Sequence, residues 1–345
     1  MVCPCPAAAG LCMAPTVFKR DRSRASRWAV RAGALLLACV PAVALAQTAS
    51  NNLPRVRVAA VGGLVLSGVW PLLAQQAGQA LGLQVDTVAA SPKEGVVPVF
   101  ERGDAELLLI HASDEALGLQ TSGHAAPVRV WAWNGHVLVG PAADPAQVHS
   151  APDGQQALKR IADAAAPFIA FRDPGSYTVV QRLWRRAGIR PGARWAHTDT
   201  SARPQAVLQQ AAALGAYAVV GHIPVAFGKM PLPAGMQVLL QGDPQMRRPY
   251  VVLTPGPHHP AGTQARSQAL RLADYLVSPA GQAALQAADC AAGGPWLFAA
   301  GSVPSATSAP AHPAPGSTAL PALPAAAMGF TPPSPATTPF KATTP

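Results

Sequence analysis

Short apolar runs alternate with amphipathic stretches along the chain from residue 53 onward. Continuous apolar runs are typical of strands buried on both faces of a sheet, whereas apolar residues spaced three and four apart predict helices. The runs predict strands over 55–61, 84–89, 105–110, 168–171, 217–220 and 237–240, and the amphipathic stretches predict helices over 67–81, 154–165, 176–187, 204–213, 264–277 and 279–288. This alternation predicts an α/β fold with mostly parallel sheets that helices cover on both faces.

Two further segments predict strands that connect two halves of the fold. Residues 128–139 form a long, mostly apolar stretch with Asn134-Gly135 at its middle, and residues 250–254 form a second apolar run. A long strand such as 128–139 can leave one lobe and enter another, and two such crossings form a hinge. We therefore expect one lobe from 47–134, to which 250–300 return, and a second lobe from 135–249.

The two ends of the chain differ in composition from the part between them. Basic residues are concentrated in 1–31, and the apolar run that follows ends on Ala44-Leu45-Ala46. This arrangement is typical of a secretory signal peptide, so we expect 1–46 to be removed and the mature protein to be periplasmic. Cys39 leaves processing as a lipoprotein open as an alternative. Residues 301–345 are rich in Pro, Ala, Ser and Thr, which predicts an extended, disordered tail.

Charge and motifs narrow the classes of function. The formal net charge is +10, of which the predicted signal segment contributes +5 through six basic residues and one acidic residue. The other basic residues are scattered rather than arranged in a stripe with aromatic residues, which argues against nucleic-acid binding. Motifs typical of hydrolases, zinc proteases and P-loop enzymes do not occur in the sequence. We therefore predict a protein that is not an enzyme and that uses no cofactor or metal.

Seven segments between residues 53 and 298 follow one another in an order that is specific to one family. They are GDAELLLIHA from Gly103, WNGHVLVGPAADP from Trp133, APFIAFRD from Ala166, LWRRAGIRPGARW from Leu183, LGAYAVV from Leu214, QGDPQMRRPYVVL from Gln241 and ADYLVSPAGQAAL from Ala273. In these segments the chain resembles the periplasmic tungstate-binding component of ABC transporters, a branch of the type II periplasmic binding proteins. The resemblance implies a two-lobed fold in which each lobe is a mostly parallel sheet flanked by helices, with two crossing strands as the hinge.

The same resemblance implies a function and its partners. A protein of this family captures a small oxyanion, such as tungstate or molybdate, in the cleft between its lobes and delivers it to an inner-membrane ABC permease. We expect such a protein to act as a monomer. The alternative is a diverged periplasmic protein that keeps the scaffold but acts as a ligand sensor or interaction module.

Candidate ligand-binding residues in the first lobe lie where predicted strands end. Ser67 and Gly68 stand at the predicted start of a helix, where backbone amides favour an anion. Ser91 and Lys93 follow the second strand, while His111 and Ser113 follow the third. Alternatively, Lys93 is a solvated lysine paired with Glu94. His111 can likewise be a structural residue that only holds its loop through a hydrogen bond.

Candidate residues in the second lobe come from two loops. The resemblance implies that Arg172 supplies positive charge to the ligand in a run that also contains Asp173, Ser176, Tyr177 and Thr178. Amides and hydroxyls in such a run can donate to an oxyanion. His222 follows the strand over 217–220, in place of a charged run of the family. It could respond to pH near neutrality or be an ordinary surface histidine.

Overall fold

The computed structural model describes residues 53–301, so the predicted signal segment and almost all of the predicted tail lie outside the described residues. The strands are β1 (Arg55–Val61), β2 (Gln84–Ser91), β3 (Leu107–His111), β4 (Arg129–Pro141), β5 (Phe168–Ala170), β6 (Ala196–Thr198), β7 (Tyr217–Gly221), β8 (Met236–Leu240), β9 (Arg247–Leu253) and β10 (Leu297–Ala299). The helices are α1 (Gly62–Leu66), α2 (Val69–Leu81), α3 (Lys93–Glu101), α4 (Asp114–Thr121), α5 (Gly154–Asp163), α6 (Pro174–Ala187), α7 (Val207–Ala213), α8 (His222–Ala226), α9 (Thr263–Val277) and α10 (Pro279–Ala291).

The strands form two parallel blocks that antiparallel strands join. The order across the sheet is β2-β1-β3-β9-β4-β7-β5-β6, with β8 and β10 also paired to β4. Strands β1, β2 and β3 are parallel to one another, as are β5, β6 and β7, whereas β9 and β4 run antiparallel to their neighbours. The α/β, two-lobed fold class predicted from the sequence is confirmed.

Strand β4 passes from one lobe into the other. Its first half, Arg129 to Gly135, pairs with β9, and its second half, His136 to Val139, pairs with β7. The long strand predicted over 128–139 is therefore present. The second crossing strand, β9, begins at Arg247 rather than at Tyr250, so it is longer than the prediction.

Each lobe has its own apolar core. In the first lobe, Trp70, Trp131 and Tyr250 are fully buried and their rings follow one another at 6.2 Å and 6.3 Å. In the second lobe, Phe168 and Trp184 pack in a separate cluster, with ring centroids 5.6 Å apart. Burial of such aromatic side chains contributes much of the stability of a core, because each removes a large apolar area from water.

The helix that the sequence predicts over 67–81 is two helices in the structure. Helix α1 ends at Leu66, and α2 begins at Val69 after a turn in which Gly68 has φ 77°. Gly68 and not Ser67 is the N-cap residue of α2; the Ser67 hydroxyl donates to the carbonyl of Leu64 at 3.0 Å and accepts from the amide of Val69 at 3.4 Å. A left-handed backbone at position 68 is accessible to glycine at little cost, which accounts for the break.

Helix α3 has no counterpart among the predicted helices. It contains Pro98, a residue that argues against the interior of a helix, and it starts at Lys93 in a stretch that the sequence interpretation treats as a loop. No helix within residues 53–301 has the combination of length and apolar character that crossing a bilayer demands.

Candidate functional site

A cleft of about 690 Å³ lies where β3, β9, β4 and β7 run side by side. Its lining includes polar side chains from three of these strands: His111 on β3, Arg248 and Tyr250 on β9, and Asn134 and His136 on β4. We call these five residues the cleft floor. Alternate residues of a strand point to the same face, so the pairs 134/136 and 248/250 face the cleft together.

Strand register brings the members of the cleft floor next to one another. Asn134 is directly opposite Arg248 across β4 and β9. Tyr250 is opposite His111 across β9 and β3, and their rings stack with centroids 4.3 Å apart. The floor is therefore a continuous polar surface on the strands that connect the lobes.

Arg248 is the cation of the cleft floor. Its side chain is largely removed from water, one nitrogen donates to the carbonyl of Ala112 at 3.4 Å, and another lies against Gly175 at the start of α6. Burial lowers the pKa of this guanidinium, while nearby Asp173 opposes that change. A guanidinium nevertheless stays charged at neutral pH. Among the ion pairs of residues 53–301, none includes Arg248, so its charge can be balanced by an anionic ligand.

Asn134 presents a buried amide beside this cation. The residue is only 5% exposed, and its Oδ1 makes no hydrogen bond within the part of the chain that the structure describes. An unsatisfied buried polar atom costs about 1–3 kcal/mol. A hydrogen-bond donor of a ligand at this position, such as a hydroxyl or an N–H group, would recover that cost.

The two histidines and the tyrosine of the cleft floor are uncharged at neutral pH. Burial lowers the pKa of His136 to about 4, and its Nδ1 donates to the carbonyl of Met246 at 3.1 Å. Burial and then the charge of Arg248 hold the pKa of His111 well below its usual value. Burial raises the pKa of the Tyr250 hydroxyl. Arg248 is thus the charged group of the floor, and its neighbours supply neutral hydrogen-bonding atoms.

Ser91, Lys93 and His111 of the predicted first-lobe residues do line the cleft. Lys93 donates from Nζ to Oε1 of Glu115 at 2.6 Å, so its partner is Glu115 and not Glu94. Burial would by itself raise the pKa of Glu115, but the hydrogen bond and the charge of Lys93 help to lower it to about 2. The charge of Lys93 is therefore already balanced within the first lobe.

Ser67, Gly68 and Ser113 do not contribute to the lining that the structure shows. Gly62 and Gly63, at the start of α1, lie there instead of Ser67 and Gly68. Ser113 precedes α4, next to Glu115. The helix start that lines the cleft is that of α1, five residues before Ser67 in the chain.

Arg172 is engaged within the second lobe. Its Nε lies 3.1 Å from Oδ2 of Asp199, a carboxylate that is almost fully buried, and the guanidinium also donates to the carbonyl of Ser201. Arg172 is not in the cleft lining of the described residues, whereas its neighbour Asp173 is. Its cation therefore supports the loop before α6 in this structure.

The first turn of α6 uses the donors that the sequence assigns to a ligand. Asp173 accepts from the amide of Ser176 at 3.0 Å through its side chain and from the amide of Tyr177 at 2.9 Å through its carbonyl. Thr178 donates from its hydroxyl to the carbonyl of Pro174 at 2.6 Å. Tyr177 is exposed, and the buried Ser176 hydroxyl makes no hydrogen bond within residues 53–301.

His222 lies at a separate, smaller cavity. It begins α8, and its ring centroid is 5.3 Å from that of Trp296. The cavity has a volume of about 210 Å³ and shares His136 with the main cleft. Burial lowers the pKa of His222, so it is neutral at neutral pH. Within residues 53–301 there is no cluster of His, Cys, Asp and Glu suited to a metal ion.

Four residues of the cleft floor are not among the candidates that the sequence predicts: Asn134, His136, Arg248 and Tyr250. The available signal was polar residues at alternate positions of otherwise apolar crossing strands, WNGH in β4 and RRPY in β9. Because β9 was predicted to start at 250, Arg248 stood outside it and the alternation was hidden.

Apolar side chains form the walls of the cleft. We call the following six residues the cleft walls: Val65 and Leu66 on α1, Ile223 and Pro224 on α8, and Phe171 and Met230 in the second lobe. Helices α1 and α8 pack against each other. Ile223 belongs to the core of the first lobe although α8 follows a strand of the second. This contact closes one side of the cleft.

Two lobes joined by crossing strands, with a cleft over the hinge, define the architecture of a type II periplasmic binding protein. Two solved structures share this fold. The tungstate ABC transporter from Geobacter sulfurreducens is 23% identical, the alignment covers 68% of this chain and 98% of that chain, and the TM-score is 0.54. A tungstate-binding protein from Desulfovibrio alaskensis is 22% identical, the alignment covers 67% of this chain and 92% of that chain, and the TM-score is 0.53. The resemblance predicted from the sequence is thereby confirmed at the level of the fold.

One curated relative is similar in sequence to part of the chain. This protein of Haloferax volcanii, named as a candidate ABC transporter anion-binding protein, is 29% identical over 190 residues. The alignment covers 54% of this chain and 55% of the relative, so it spans about half of the length of each. No family model matches the chain.

Proposed function

We propose that this protein is the exported substrate-binding component of an ABC importer and that it captures an anion in the cleft. The observation that carries the proposal is Arg248, a largely buried guanidinium on the cleft floor that no carboxylate of residues 53–301 pairs with. Removing such a cation from water is costly unless an opposite charge meets it. An anion between the lobes would supply that charge.

The location of Arg248 connects binding with movement of the lobes. The residue lies on β9, a strand of the hinge, and its guanidinium contacts Gly175 of the second lobe. Closure of two lobes around a ligand is the usual motion of periplasmic binding proteins. A ligand held at Arg248 would therefore contact both lobes and favour the closed arrangement, which a permease could then distinguish from the open one.

Tungstate is the first anion to test, because both solved structures that share the fold bear its name. Molybdate, which the sequence resemblance implies, is the second. The names of the relatives also favour transport over the alternative of a sensor or interaction module. On this proposal the protein works as a periplasmic monomer and delivers its ligand to an inner-membrane permease. It binds its ligand and does not transform it.

Isothermal titration calorimetry and thermal shift on the mature protein test the proposal with tungstate, molybdate, sulfate, phosphate and small carboxylates. A ligand present at about 100 times its dissociation constant stabilises the folded state by about 2.7 kcal/mol, which raises the melting temperature measurably. We expect binding by at least one anion and a large decrease of its affinity in Arg248→Gln. Binding that is indifferent to this substitution, or restricted to uncharged compounds, would contradict the proposal.

A further inference from the structure

The cleft walls narrow the class of anion that the cleft accepts. We propose that the ligand is an organic anion, in which a single acidic head group meets Arg248 and an apolar body lies between the cleft walls. This inference rests on the proposed function, since it assumes that the cleft binds an anion. It goes beyond that function because it also names the chemistry of the ligand outside its charged group.

Hydrogen-bonding groups and apolar groups are segregated in this cleft. Arg248, Asn134 and the neutral rings beside them lie together on the hinge strands, at the cleft floor. The six residues of the cleft walls offer hydrocarbon and aromatic surface. A ligand that matches this arrangement is polar at one end and apolar over the remainder.

A bare oxyanion matches the arrangement poorly. Each of its oxygens carries charge and requires a donor, and apolar walls cannot supply one. Several donors of the second lobe are engaged elsewhere: Arg172 with Asp199, and the amides of Ser176 and Tyr177 with Asp173. The buried hydroxyl of Ser176 makes no hydrogen bond within residues 53–301, but Ser176 is outside the described cleft lining. The carboxylate of Asp173 also lines the cleft, where it would repel a doubly charged ion.

The charges that face the cleft point to a single negative charge on the ligand. Lys93 is balanced by Glu115 at 2.6 Å, and Asp173 lies near enough to Arg248 to oppose the change in its pKa. Lys229 also lines the cleft but is exposed to solvent, where its charge is screened. Arg248 thus provides one buried positive charge against a head group.

The volume of the cleft agrees with an organic molecule. At about 30 Å³ for each water molecule in the liquid, a volume of about 690 Å³ corresponds to roughly twenty waters, far more than a five-atom ion displaces. Pockets for organic ligands span about 300–1,000 Å³ and are mostly apolar with a few placed polar groups. The cleft has both properties.

Calorimetry with a series of straight-chain carboxylates from acetate to octanoate tests the inference on the mature protein. The primary amides of the same acids serve as uncharged controls, and tungstate and molybdate as bare oxyanions. We expect the dissociation constant to fall about fourfold for each added methylene until the cleft is filled. We expect each amide to bind at least about tenfold more weakly than its acid.

Two variants separate the head group from the apolar body. Arg248→Gln should weaken every acid by a similar factor. Val65→Thr, a substitution of nearly equal volume, should weaken octanoate several-fold and leave acetate almost unchanged, because it alters only a wall. Equal effects of Val65→Thr on both acids would overturn the assignment of the body to the walls.

The remaining outcomes distinguish this inference from the proposed function. Binding of tungstate or molybdate without binding of any carboxylate overturns the organic ligand and leaves anion capture standing. Affinity for carboxylates that does not change with chain length also overturns it. Amides that bind as tightly as their acids overturn anion capture itself, and with it the inference.

Discussion

The guanidinium group of Arg248 lies against Gly175, in the space that the Cβ of any other residue at position 175 would need. Gly175 is buried in the first turn of α6, and Arg182 on the same helix donates to the backbone carbonyl of Arg247 at 3.0 Å. The second lobe and the hinge strand β9 are therefore in direct contact at the cation. The position of Arg248 depends on the absence of a side chain at residue 175.

Gly175→Ala should weaken anion binding without loss of the fold. The added methyl group must displace the guanidinium, which then leaves the position opposite Asn134, and we expect affinity to fall by about tenfold or more. Alanine favours a helix over glycine by up to about 1 kcal/mol, so the helix itself should not suffer. Gly118→Ala in α4, where nothing lies within 4 Å of the added atom, is the matched control for calorimetry. Unchanged affinity in Gly175→Ala would show that the position of Arg248 is unimportant.

Arg248→Gln should lower affinity by roughly 10- to 100-fold, since hydrogen bonds to charged groups contribute about 1.5–3 kcal/mol. The melting temperature of the ligand-free protein should stay the same or rise, because the variant no longer buries a cation. Arg186→Gln, an exposed change on α6, controls for the loss of general positive charge. Similar weakening by both substitutions would indicate long-range attraction rather than contact.

Arg172→Gln should affect stability more than binding. Asp199 is 2% exposed and keeps two hydrogen bonds from Ser201 in the variant, but it loses its cationic partner. Arg172 itself is half exposed, so we expect a loss of only about 1 kcal/mol in the free energy of unfolding, measured by urea denaturation. Asp199→Asn is the companion variant, because it removes the same pair from the other side. An affinity loss for Arg172→Gln as large as that for Arg248→Gln would restore Arg172 as the ligand's cation.

The stability of the protein should decrease as the pH falls from about 6.5 to about 4. His136 is 3% exposed, and burial lowers its pKa from 6.5 to about 4, so in this range the unfolded chain binds a proton that the folded chain does not. Above about pH 6.5 the contribution of neutral His136 to the free energy of unfolding is fully present. By about pH 4 the loss of this contribution amounts to about 3 kcal/mol, at about 1.4 kcal/mol for each pKa unit. His111 adds to the decrease in the same direction, since its pKa is lowered too.

Thermal unfolding at several pH values checks this expectation with His136→Gln. Glutamine can still donate to the carbonyl of Met246 but cannot take up a proton, so the melting temperature of the variant should depend less on pH than that of the wild type. The groups around His136 that also carry charge are Asp173, Arg248 and Arg182. His258→Gln, at an exposed position, is the control. Equal pH dependence in His136→Gln and the wild type would contradict the assignment.

Sequence patterns predict most of the strands and helices, because each is formed by residues that are close together in the chain. The buried strand β3 and the long strand β4 follow directly from apolar runs, and α9 from its helical spacing. The break at Gly68 depends on a left-handed backbone that helical spacing does not reveal, whereas around Pro98 packing overrides the preference of a single residue. Propensity is a weak guide where tertiary contacts decide.

The cleft was less predictable because its residues meet only through strand register. Asn134 and Arg248 are far apart in the chain, and nothing near either one indicates that they lie opposite each other. Arg172 has the appearance of a ligand group in the sequence, but its partner Asp199 is 27 residues away. Which positive charges are already balanced is a property of the folded chain.

The row of rings from Trp70 through Trp131 to Tyr250 gives the protein an optical signal for occupancy of its cleft. Tyr250 lines the cleft although it is itself almost fully buried, and its ring lies 6.3 Å from the buried indole of Trp131. A charged group placed beside Tyr250 alters the electric field at that indole, and the emission of indole responds to local fields. Tryptophan fluorescence can therefore report ligand capture in real time, without a label.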